Sequence, residues 1–446
     1  MSDDRINDRN RSVPSGRLSR LSQFGRLAGG VAGGMIAEGT RRLVAGERPR
    51  MGDLLLTPGN AKRVTERLSH LRGAAMKLGQ MISMDSGDLL PPELSSILAT
   101  LRNQAYRMPP AQLDAVLKTE WGDGWRRRFR HFDATPIAAA SIGQVHRATL
   151  PDGRLLAIKV QYPGVRDSIA SDVDNVATLL RISNVLPATL DLKPLLAEAK
   201  LQLAEEADYR REGDQMRAYG ARLAGDRRYV VPALYDELTT GNVLAMDFVE
   251  GHPIEWLQDA PQAERDMAVT ALIELVLREL FDFGVMQTDP NFANYRWQPE
   301  TGAIVLLDFG ATRIVPDSTS DSYRALIVAG LARDRDAIRE TAVRTGFLGA
   351  KAVAAHRPAI DRIIAAIDDT LARPGPFDFS DRAFVPLVRA ETPALLADRA
   401  TWHVPDVETL FVQRKVSGTA LLAARLKARI DLTGLAAAAI ASDKHA

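Results

Sequence analysis

The sequence contains no cysteine, and this absence removes several classes of chemistry at once. The 446-residue chain has no disulfide framework, no thiol nucleophile and no cysteine-ligated zinc. Its seven histidines are scattered and form no HExxH or comparable metal spacing. The formal net charge of +1 gives no sign of a nucleic-acid-binding protein, so no nucleic-acid partner is expected. No run of about 20 uninterrupted apolar residues occurs, which argues against a transmembrane helix.

The N-terminal residues are polar and rich in arginine. Residues 1–28 hold six arginines and three aspartates, a composition typical of a disordered tail. They lack the apolar core of a secretory signal, so we expect cytoplasmic residence by default, with peripheral membrane association left open. The following stretch, LAGGVAGGMIAEGTRRLV, suits either a shallow membrane contact or a weak helix packed on the body. The packed helix is the preferred alternative.

Hydrophobic periodicity and turn residues divide the chain into four parts. Residues 1–50 form the flexible basic and small-residue segment, and 51–125 form a helical extension. Residues 126–248 form a small lobe that contains strands, and 249–446 form a larger helical lobe. Strands and helices do not alternate as a doubly wound sheet requires, so the sequence predicts an α+β fold with two lobes.

Turn and helix signals place individual elements within the two lobes. The strands "AASIGQVHRATL" and "RLLAIKVQY" should be joined by a tight turn at Asp152-Gly153. A long apolar helix, 265–284, should end at Gly284. The remaining predicted elements are helices at 166–186 and 193–222 and strands at 228–235, 242–249 and 303–310.

Three short motifs follow one another in the order found in protein kinases. Lys159 lies in the strand "LLAIKV", Asp289 and Asn294 stand five residues apart in "VMQTDPNFANYRW", and Asp308 opens "DFG" after a strand. Phosphoryl transfer needs a lysine for the phosphates, an acid for the acceptor and oxygen ligands for Mg²⁺. Each motif alone is weak, but together they indicate phosphoryl transfer.

Each of these motifs has a structural alternative when it is considered alone. Lys159 would suit a solvent-facing position on a strand. Asp289 would suit an N-cap before Pro290, and Asp308-Phe309-Gly310 would suit a turn. The three alternatives would all have to hold at once for the order of the motifs to be accidental.

Several ordinary kinase features are missing. No G-x-G-x-x-G precedes the lysine, and "PIAAASIGQVH" occupies the place of the phosphate-covering loop. Alanines are less flexible than glycines, so this backbone should approach phosphates differently. Gln287-Thr288 stands where His-Arg would precede the aspartate, and no A-P-E follows Asp308. A site for docking a peptide substrate is therefore not evident.

The chain resembles the UbiB/AarF-type atypical kinases, and most closely the Coq8-type ubiquinone-biosynthesis proteins. The resemblance covers about residues 60–315. It rests on "KLGQ" (77–80), "AAASIGQVH" (138–146), "EADYRRE" (206–212) and "MQTDPNFAN" (286–294). It implies a bilobal atypical protein-kinase-like fold with an N-terminal helical extension, and ATP and Mg²⁺ as cofactors.

The resemblance also implies roles for individual residues. Lys77 of the K-x-G-Q helix would reach into the nucleotide site, and Glu206 and Asp208 would pair with it or help to order metal and phosphate. Asp289 would orient the acceptor, so these four form the predicted catalytic set. The predicted phosphate-covering residues are Ala138, Ala139, Ala140, Ser141, Ile142 and Gly143.

Further nucleotide and metal contacts follow from the kinase pattern. Glu212, which shares a helix face with Asp208 at i, i+4 spacing, is the candidate partner of Lys159. An exposed acidic helix is the alternative for this segment. Asn294 and Asp308 would bind Mg²⁺. The predicted hinge consists of Met246 as gatekeeper and the backbone groups of Asp247 and Val249.

Three functions are compatible with these residues. The first is an ATP-hydrolysing atypical kinase that supports ubiquinone biosynthesis, with a quinone-precursor lipid, biosynthetic enzymes and a membrane surface as partners. The second is a kinase that phosphorylates an unknown protein, lipid or small molecule. The third is a non-catalytic scaffold that binds nucleotide or lipid. The residues themselves support only nucleotide and Mg²⁺ chemistry, and the resemblance supplies the pathway.

Overall fold

The computed structural model describes residues 108–140, 142–182, 193–381, 383–398 and 406–441. These residues form two compact units. The first unit contains the described residues up to Asp214 together with Ala233–Phe248. The second contains Gln215–Pro232 and the described residues from Val249 onwards. Lys77, Ser141 and most of the predicted helical extension lie outside the described residues.

A five-stranded antiparallel sheet is the centre of the first unit. Its order is β1-β3-β4-β6, and β2 pairs with β3. The turn predicted between β3 and β4 is confirmed, because Gly153 adopts φ +94° and its N–H donates to the Leu150 carbonyl. The strands are β1 (His131–Phe132), β2 (Ala138–Ala139), β3 (Gly143–Thr149), β4 (Leu155–Gln161) and β6 (Val243–Asp247).

Four helices belong wholly or partly to the first unit. The first of them begins at Pro110, where a missing N–H costs nothing, and ends in an aromatic cluster. In that cluster the Trp121 and Phe129 ring centroids lie 5.4 Å apart, and those of Trp125 and Phe132 lie 5.0 Å apart. The helices are α1 (Pro110–Trp121), α2 (Val165–Ile182), α3 (Lys193–Glu206) and α4 (Tyr209–Arg222).

The single helix predicted over 193–222 is wrong, because the chain forms α3 and α4 with a break at Ala207–Asp208. Asp208 Oδ1 accepts hydrogen bonds from the N–H groups of Arg210 and Arg211. This is how an aspartate caps the start of a helix. Asp208 therefore precedes α4 and does not share a helix face with Glu212.

The strand predicted over 228–235 is shorter than expected. Only β5 (Tyr229–Val230) forms, and it pairs in parallel with a strand of the second unit. Pro232 has no N–H for a ladder, which limits the strand. The sequence placed residues 215–232 in the small lobe, whereas in the structure they pack with the second unit.

The second unit combines short sheets with helices. A four-stranded sheet has the order β5-β10-β9-β7, and two-stranded sheets pair β11 with β8 and β12 with β13. The strands are β7 (His252–Pro253), β8 (Val285–Gln287), β9 (Tyr295–Gln298), β10 (Ala303–Leu306), β11 (Thr312–Ile314), β12 (Phe377–Asp378) and β13 (Arg429–Ile430). The helices are α5 (Gln262–Arg278), α6 (Asp317–Leu331), α7 (Arg335–Arg344), α8 (Ala350–Leu371), α9 (Val385–Ala397), α10 (Val407–Leu426) and α11 (Leu432–Ala441).

The predicted apolar helix over 265–284 is confirmed, and the structure shows how it ends. Helix α5 continues into a π-helical turn, Glu279–Phe283, and ends at Gly284 with φ +60° and ψ +16°. This left-handed conformation favours glycine and directs the chain into β8. Within the described residues, no helix is both long and apolar enough to cross a membrane.

Candidate active site

The first unit buries Lys159 against Glu212. Lys159 lies in the middle of β4, and its Nζ is 2.8 Å from Glu212 Oε1 and 3.0 Å from Oε2. Lys159 is 7% exposed and Glu212 is 1% exposed. The solvent-facing alternative for Lys159 and the exposed-helix alternative for Glu212 are thereby excluded. A buried lysine requires such a carboxylate, because an unpaired buried charge is strongly unfavourable.

Strand β2 pairs with the start of β3, and we name residues 138–140 and 142–145 the alanine hairpin. Ala138 pairs with Val145, and the Ala140 N–H donates to the Gly143 carbonyl. Ala138 and Ala139 are exposed, whereas Ile142 is buried. The contacts of these residues with nucleotide remain a prediction.

Gly143 allows the hairpin to lie close to β4. A Cβ atom at this position would be 2.4 Å from the Val160 carbonyl oxygen and 3.0 Å from the Tyr209 hydroxyl. Any larger residue would therefore force the two strands apart. The Tyr209 ring also lies 5.0 Å from Lys159 Nζ, so the hairpin and the buried lysine share a neighbour.

The predicted hinge begins at the end of β6. Met246 is 5% exposed and pairs with Ala157. The Asp247 N–H donates to the Ala233 carbonyl at 3.0 Å. Of the two backbone groups of Asp247, only the carbonyl oxygen therefore stays as the predicted adenine contact. The Asp247 carboxylate is also engaged, by the Tyr235 hydroxyl at 2.9 Å. Val249 is half-buried, and it is the first residue of the longer of the two chain segments that form the second unit.

The two acidic residues predicted to meet Lys77 lie at the junction of two helices. Glu206 is the last residue of α3, and Asp208 caps α4 as described above. The Asp208 carboxylate also lies 3.8 Å from the Arg166 guanidinium. Because Lys77 lies outside the described residues, the pairing of Lys77 with these acids stays a prediction.

The second unit holds residues 287–294, which we name the QTD loop, by hydrogen bonds at both ends. Thr288 donates from its N–H and its hydroxyl to the Ala311 carbonyl, at 3.1 and 2.8 Å. The Leu307 N–H donates to the Asn294 carbonyl at 3.0 Å. These bonds attach the loop to the segment that carries Asp308.

The QTD loop orients the side chains of Asp289 and Asn294 toward each other. Asn294 Nδ2 lies 3.3 Å from both the Asp289 carbonyl and Asp289 Oδ2. Asn291, not Asp289, caps the short helical turn that follows, by accepting from the Ala293 N–H. The N-cap alternative for Asp289 is therefore wrong, and this carboxylate is directed elsewhere.

The side chains of Asn294 and Asp308 suit a magnesium ion. Asn294 directs its Nδ2 at Asp289, which leaves the amide oxygen facing away from that residue. Asp308 Oδ1 accepts from the Gly310 N–H at 3.0 Å, so the DFG turn fixes the carboxylate. Mg²⁺ commonly takes few protein oxygens and fills its other positions with water and phosphate. Within the described ranges, no three His, Cys, Asp or Glu side chains cluster as a larger metal site.

Residues that sequence reasoning missed form a buried polar network beneath the loop. Lys415 Nζ lies 3.5 Å from Glu279 Oε2 and donates to Gln287 Oε1 and the Tyr295 hydroxyl, at 3.3 and 3.0 Å. Glu279 Oε1 accepts from the Tyr219 hydroxyl at 2.9 Å and from the Gln287 N–H at 3.2 Å. Gln287, which replaces the usual histidine, is thus an anchor of the loop.

The charges in this network depend on one another. Burial acts to lower the pKa of Lys415, but Glu279 and Tyr295 outweigh it and raise that pKa above its ordinary value. Burial raises the pKa of the Glu279 carboxyl. Lys415 therefore stays charged at neutral pH, held by its oxygen partners. The sequence signal was a pair of adjacent basic residues, Arg414-Lys415, in the middle of a helix.

Comparisons with known proteins show the family of the chain. Residues 100–342 match the family model of the ABC1 atypical kinase-like domain. Atypical kinase COQ8B, mitochondrial, from Danio rerio is 37% identical over 433 residues, which is 96% of this chain and 69% of that protein. Atypical kinase COQ8, mitochondrial, from Saccharomyces cerevisiae is 37% identical over 431 residues, which is 95% of this chain and 85% of that protein.

A solved structure shares the fold. The Rv3197–erythromycin complex from Mycobacterium tuberculosis has a TM-score of 0.58 and 24% sequence identity, and the match covers 84% of this chain and 94% of that chain. The α+β kinase-like fold class is confirmed, as is the resemblance to the Coq8-type proteins. The chain belongs to the ABC1 atypical kinase-like family.

Proposed function

We propose that this protein is a Mg-ATP-dependent atypical kinase or ATPase that supports ubiquinone biosynthesis. One observation supports it most strongly: hydrogen bonds attach the loop that carries Asp289 and Asn294 to the segment that carries Asp308. Membership of an atypical kinase family supports the use of ATP. The pathway rests on the resemblance to Coq8-type proteins alone.

Each unit contributes its own part of the chemistry. In the first unit, Lys159 is held by Glu212 and would contact the nucleotide phosphates, with the alanine hairpin covering them. In the second unit, Asn294 and Asp308 would supply oxygen ligands to the metal. When bound, Mg²⁺ neutralises charge on the phosphates. Asp289 would orient the hydroxyl or water that accepts the phosphoryl group.

A kinase that phosphorylates a protein, lipid or small molecule is the second candidate. The relatives from Danio rerio and Saccharomyces cerevisiae are both named atypical kinases, which favours transfer to an acceptor other than water. The missing A-P-E motif weighs against a peptide acceptor. Asp289 would have the same role in both candidates, because only the acceptor differs.

Phosphate release by the purified full-length protein tests the proposal. We expect release from ATP that requires Mg²⁺ and stops when the metal is chelated. Transfer of labelled phosphate to protein or lipid without release of free phosphate would favour the second candidate. Nucleotide binding without release or transfer would overturn the catalytic proposal in favour of a scaffold.

The pathway and the membrane need separate experiments. Quinone profiling after deletion of the gene should show loss of ubiquinone and accumulation of a precursor lipid, and normal quinone levels would overturn the pathway. Flotation with liposomes, with and without residues 1–50, tests a peripheral membrane contact. Equal flotation of both proteins would exclude the N-terminal segment as the anchor.

A further inference from the structure

We propose that Arg414 is a positioning residue that fixes the Asp289 carboxylate, and that helix α10 holds the QTD loop in its working geometry. The proposal rests on the proposed function, because it concerns how Asp289 acts. Arg414 Nη2 donates to Asp289 Oδ1 at 2.9 Å, across 125 residues of sequence. The motifs that predicted the site do not include this arginine.

Helix α10 meets the QTD loop along one face. Besides Arg414, Gly418 lies against Pro290 so closely that a Cβ atom there would be 2.2 Å from the proline Cβ. About two turns further on, the Arg425 guanidinium lies 5.7 Å from the centroid of the Phe292 ring. The separations of four and seven residues place all three on one side of the helix.

The Arg414–Asp289 pair is shielded from water. The side chain of Arg414 is 4% exposed and that of Asp289 is 19% exposed. A charge-assisted hydrogen bond in such surroundings is shorter and stronger than one on the surface. Arginine also presents its donors from a rigid planar group, so the bond fixes the direction of the carboxylate as well as its position.

Both oxygens of the Asp289 carboxylate are therefore directed by the protein. Oδ1 faces Arg414, and Oδ2 faces the Asn294 amide at 3.3 Å. Arg414 thus sets the direction in which the Asp289 carboxylate can meet an acceptor.

The test measures turnover of Mg-ATP by the unsubstituted chain, by variants at Arg414 and Asp289, and by the double variant. Arg414→Gln should lower kcat for phosphate release by about 10- to 100-fold, because a misplaced catalytic group costs about that much, with KM for ATP nearly unchanged. Arg414→Lys keeps the charge and should recover part of the rate. When Arg414→Gln is added to Asp289→Asn, kcat should fall by less than about a further twofold. The reason is that the effects of residues that act as a unit are not additive.

Recovery of rate by Arg414→Lys is the readout that a purely structural role would not move. Gly418→Ala displaces Pro290 without touching a charge, and it should lower kcat with KM for ATP nearly unchanged. Gly418→Ala also tests the loop-holding role of α10 if Arg414→Gln does not fold.

Arg362→Gln is the matched control, since this arginine also pairs with a carboxylate in the second unit, Glu391 at 2.6 Å, but is 54% exposed. It should leave kcat unchanged. If Asp289→Asn slows turnover but Arg414→Gln does not, or if the two losses multiply, the role of Arg414 is overturned and the proposed function stands. If ATP is turned over equally well by Asp289→Asn, the assigned role of Asp289 and the role of Arg414 both fail.

Discussion

Each of the two units buries a lysine beside a glutamate, and the two pairs are built differently. In the first unit Lys159 contacts both oxygens of one carboxylate, at 2.8 and 3.0 Å. In the second unit Lys415 shares its charge among Glu279, Gln287 and the Tyr295 hydroxyl, at 3.5, 3.3 and 3.0 Å. The Lys415 ammonium thus makes two hydrogen bonds and one ion pair to protein oxygens, as in a structural anchor.

Burial and pairing do not by themselves distinguish the two lysines. Lys415 is 2% exposed and Lys159 is 7% exposed, so burial alone would rank Lys415 ahead of the lysine that we propose binds phosphates. Lys159 lies on a strand next to the alanine hairpin, and Lys415 lies beneath the QTD loop. We therefore expect substitutions at the second pair to affect mainly stability, and substitutions at the first pair to affect mainly turnover.

The largest effect should come from Lys415→Met. It leaves Glu279 buried without its cation, so the free energy of unfolding should fall by about 3–5 kcal/mol. Adding Glu279→Gln should recover most of this loss, because glutamine keeps an oxygen for the Tyr219 hydroxyl and the Gln287 N–H. Denaturant unfolding of the single and double variants measures both quantities.

A surface pair provides the control for that prediction. Lys118 pairs with Asp114 at 3.1 Å, and its side chain is 48% exposed. Lys118→Met should change the free energy of unfolding by less than about 1 kcal/mol. A loss from Lys415→Met no larger than this would contradict the description of the network as a buried ion pair.

The double variant Lys159→Met/Glu212→Gln should separate stability from turnover. Both charges disappear together, so most of the free energy of unfolding should be kept. Phosphate release should nevertheless fall by about 10²- to 10³-fold, the usual loss when one electrostatic contact to the reacting group is removed. In Lys415→Met/Glu279→Gln, turnover should stay within about tenfold of wild type. Equal losses of turnover in the two double variants would remove the functional distinction between the pairs.

Gly143→Ala should have an intermediate effect, confined to the first unit. The added methyl group would meet the Val160 carbonyl, and such overpacking lowers the free energy of unfolding by about 1–3 kcal/mol. Gly124→Ala is the matched control, because no atom lies within 4 Å of a Cβ atom built there. Chemical denaturation should show little change for Gly124→Ala, and an equally small change for Gly143→Ala would contradict the close approach.

The smallest effect should be the pH dependence due to His146. Burial lowers the pKa of this imidazole, whose Nδ1 donates to the Asp133 carbonyl. Below pH 6.5 the unfolded chain therefore binds a proton that the folded chain refuses, and stability falls as the pH falls. The slope for this one group is at most about 1.4 kcal/mol per pH unit.

Unfolding at several pH values checks the contribution of His146. His146→Gln should make the acid loss of stability shallower than in wild type. His131→Gln removes a histidine whose side chain is 66% exposed and should leave the slope unchanged. Identical slopes for all three proteins would exclude the buried imidazole as an acid-sensitive group.

The sequence predicted the parts of the site that depend on local patterns. The apolar run around Lys159 predicted strand β4, and Gly284 ended the long helix where the left-handed conformation was needed. The pairing of Lys159 with Glu212 also matches the predicted contact. In each case the signal lies within a few neighbouring residues or in the order of the motifs along the chain.

The sequence could not predict contacts that depend on distant packing. Arg414 and Asp289 are separated by 125 residues, and no local pattern links them. Asp208 fitted a helical face as well as it fitted a cap, and only the break after α3 decides between the two. A short polar side chain that bonds to nearby N–H groups favours the end of a helix over its interior.

Asp308→Asn is the most direct test of the central claim that the second unit carries a magnesium-dependent phosphoryl-transfer site. It removes one charge from the proposed metal ligand and keeps the size of the side chain. Asp282→Asn, at an exposed position in the same unit, is its control. The account predicts that Mg²⁺-dependent phosphate release from ATP is lost in Asp308→Asn and kept in Asp282→Asn. Unchanged Mg²⁺-dependent release in Asp308→Asn would contradict it.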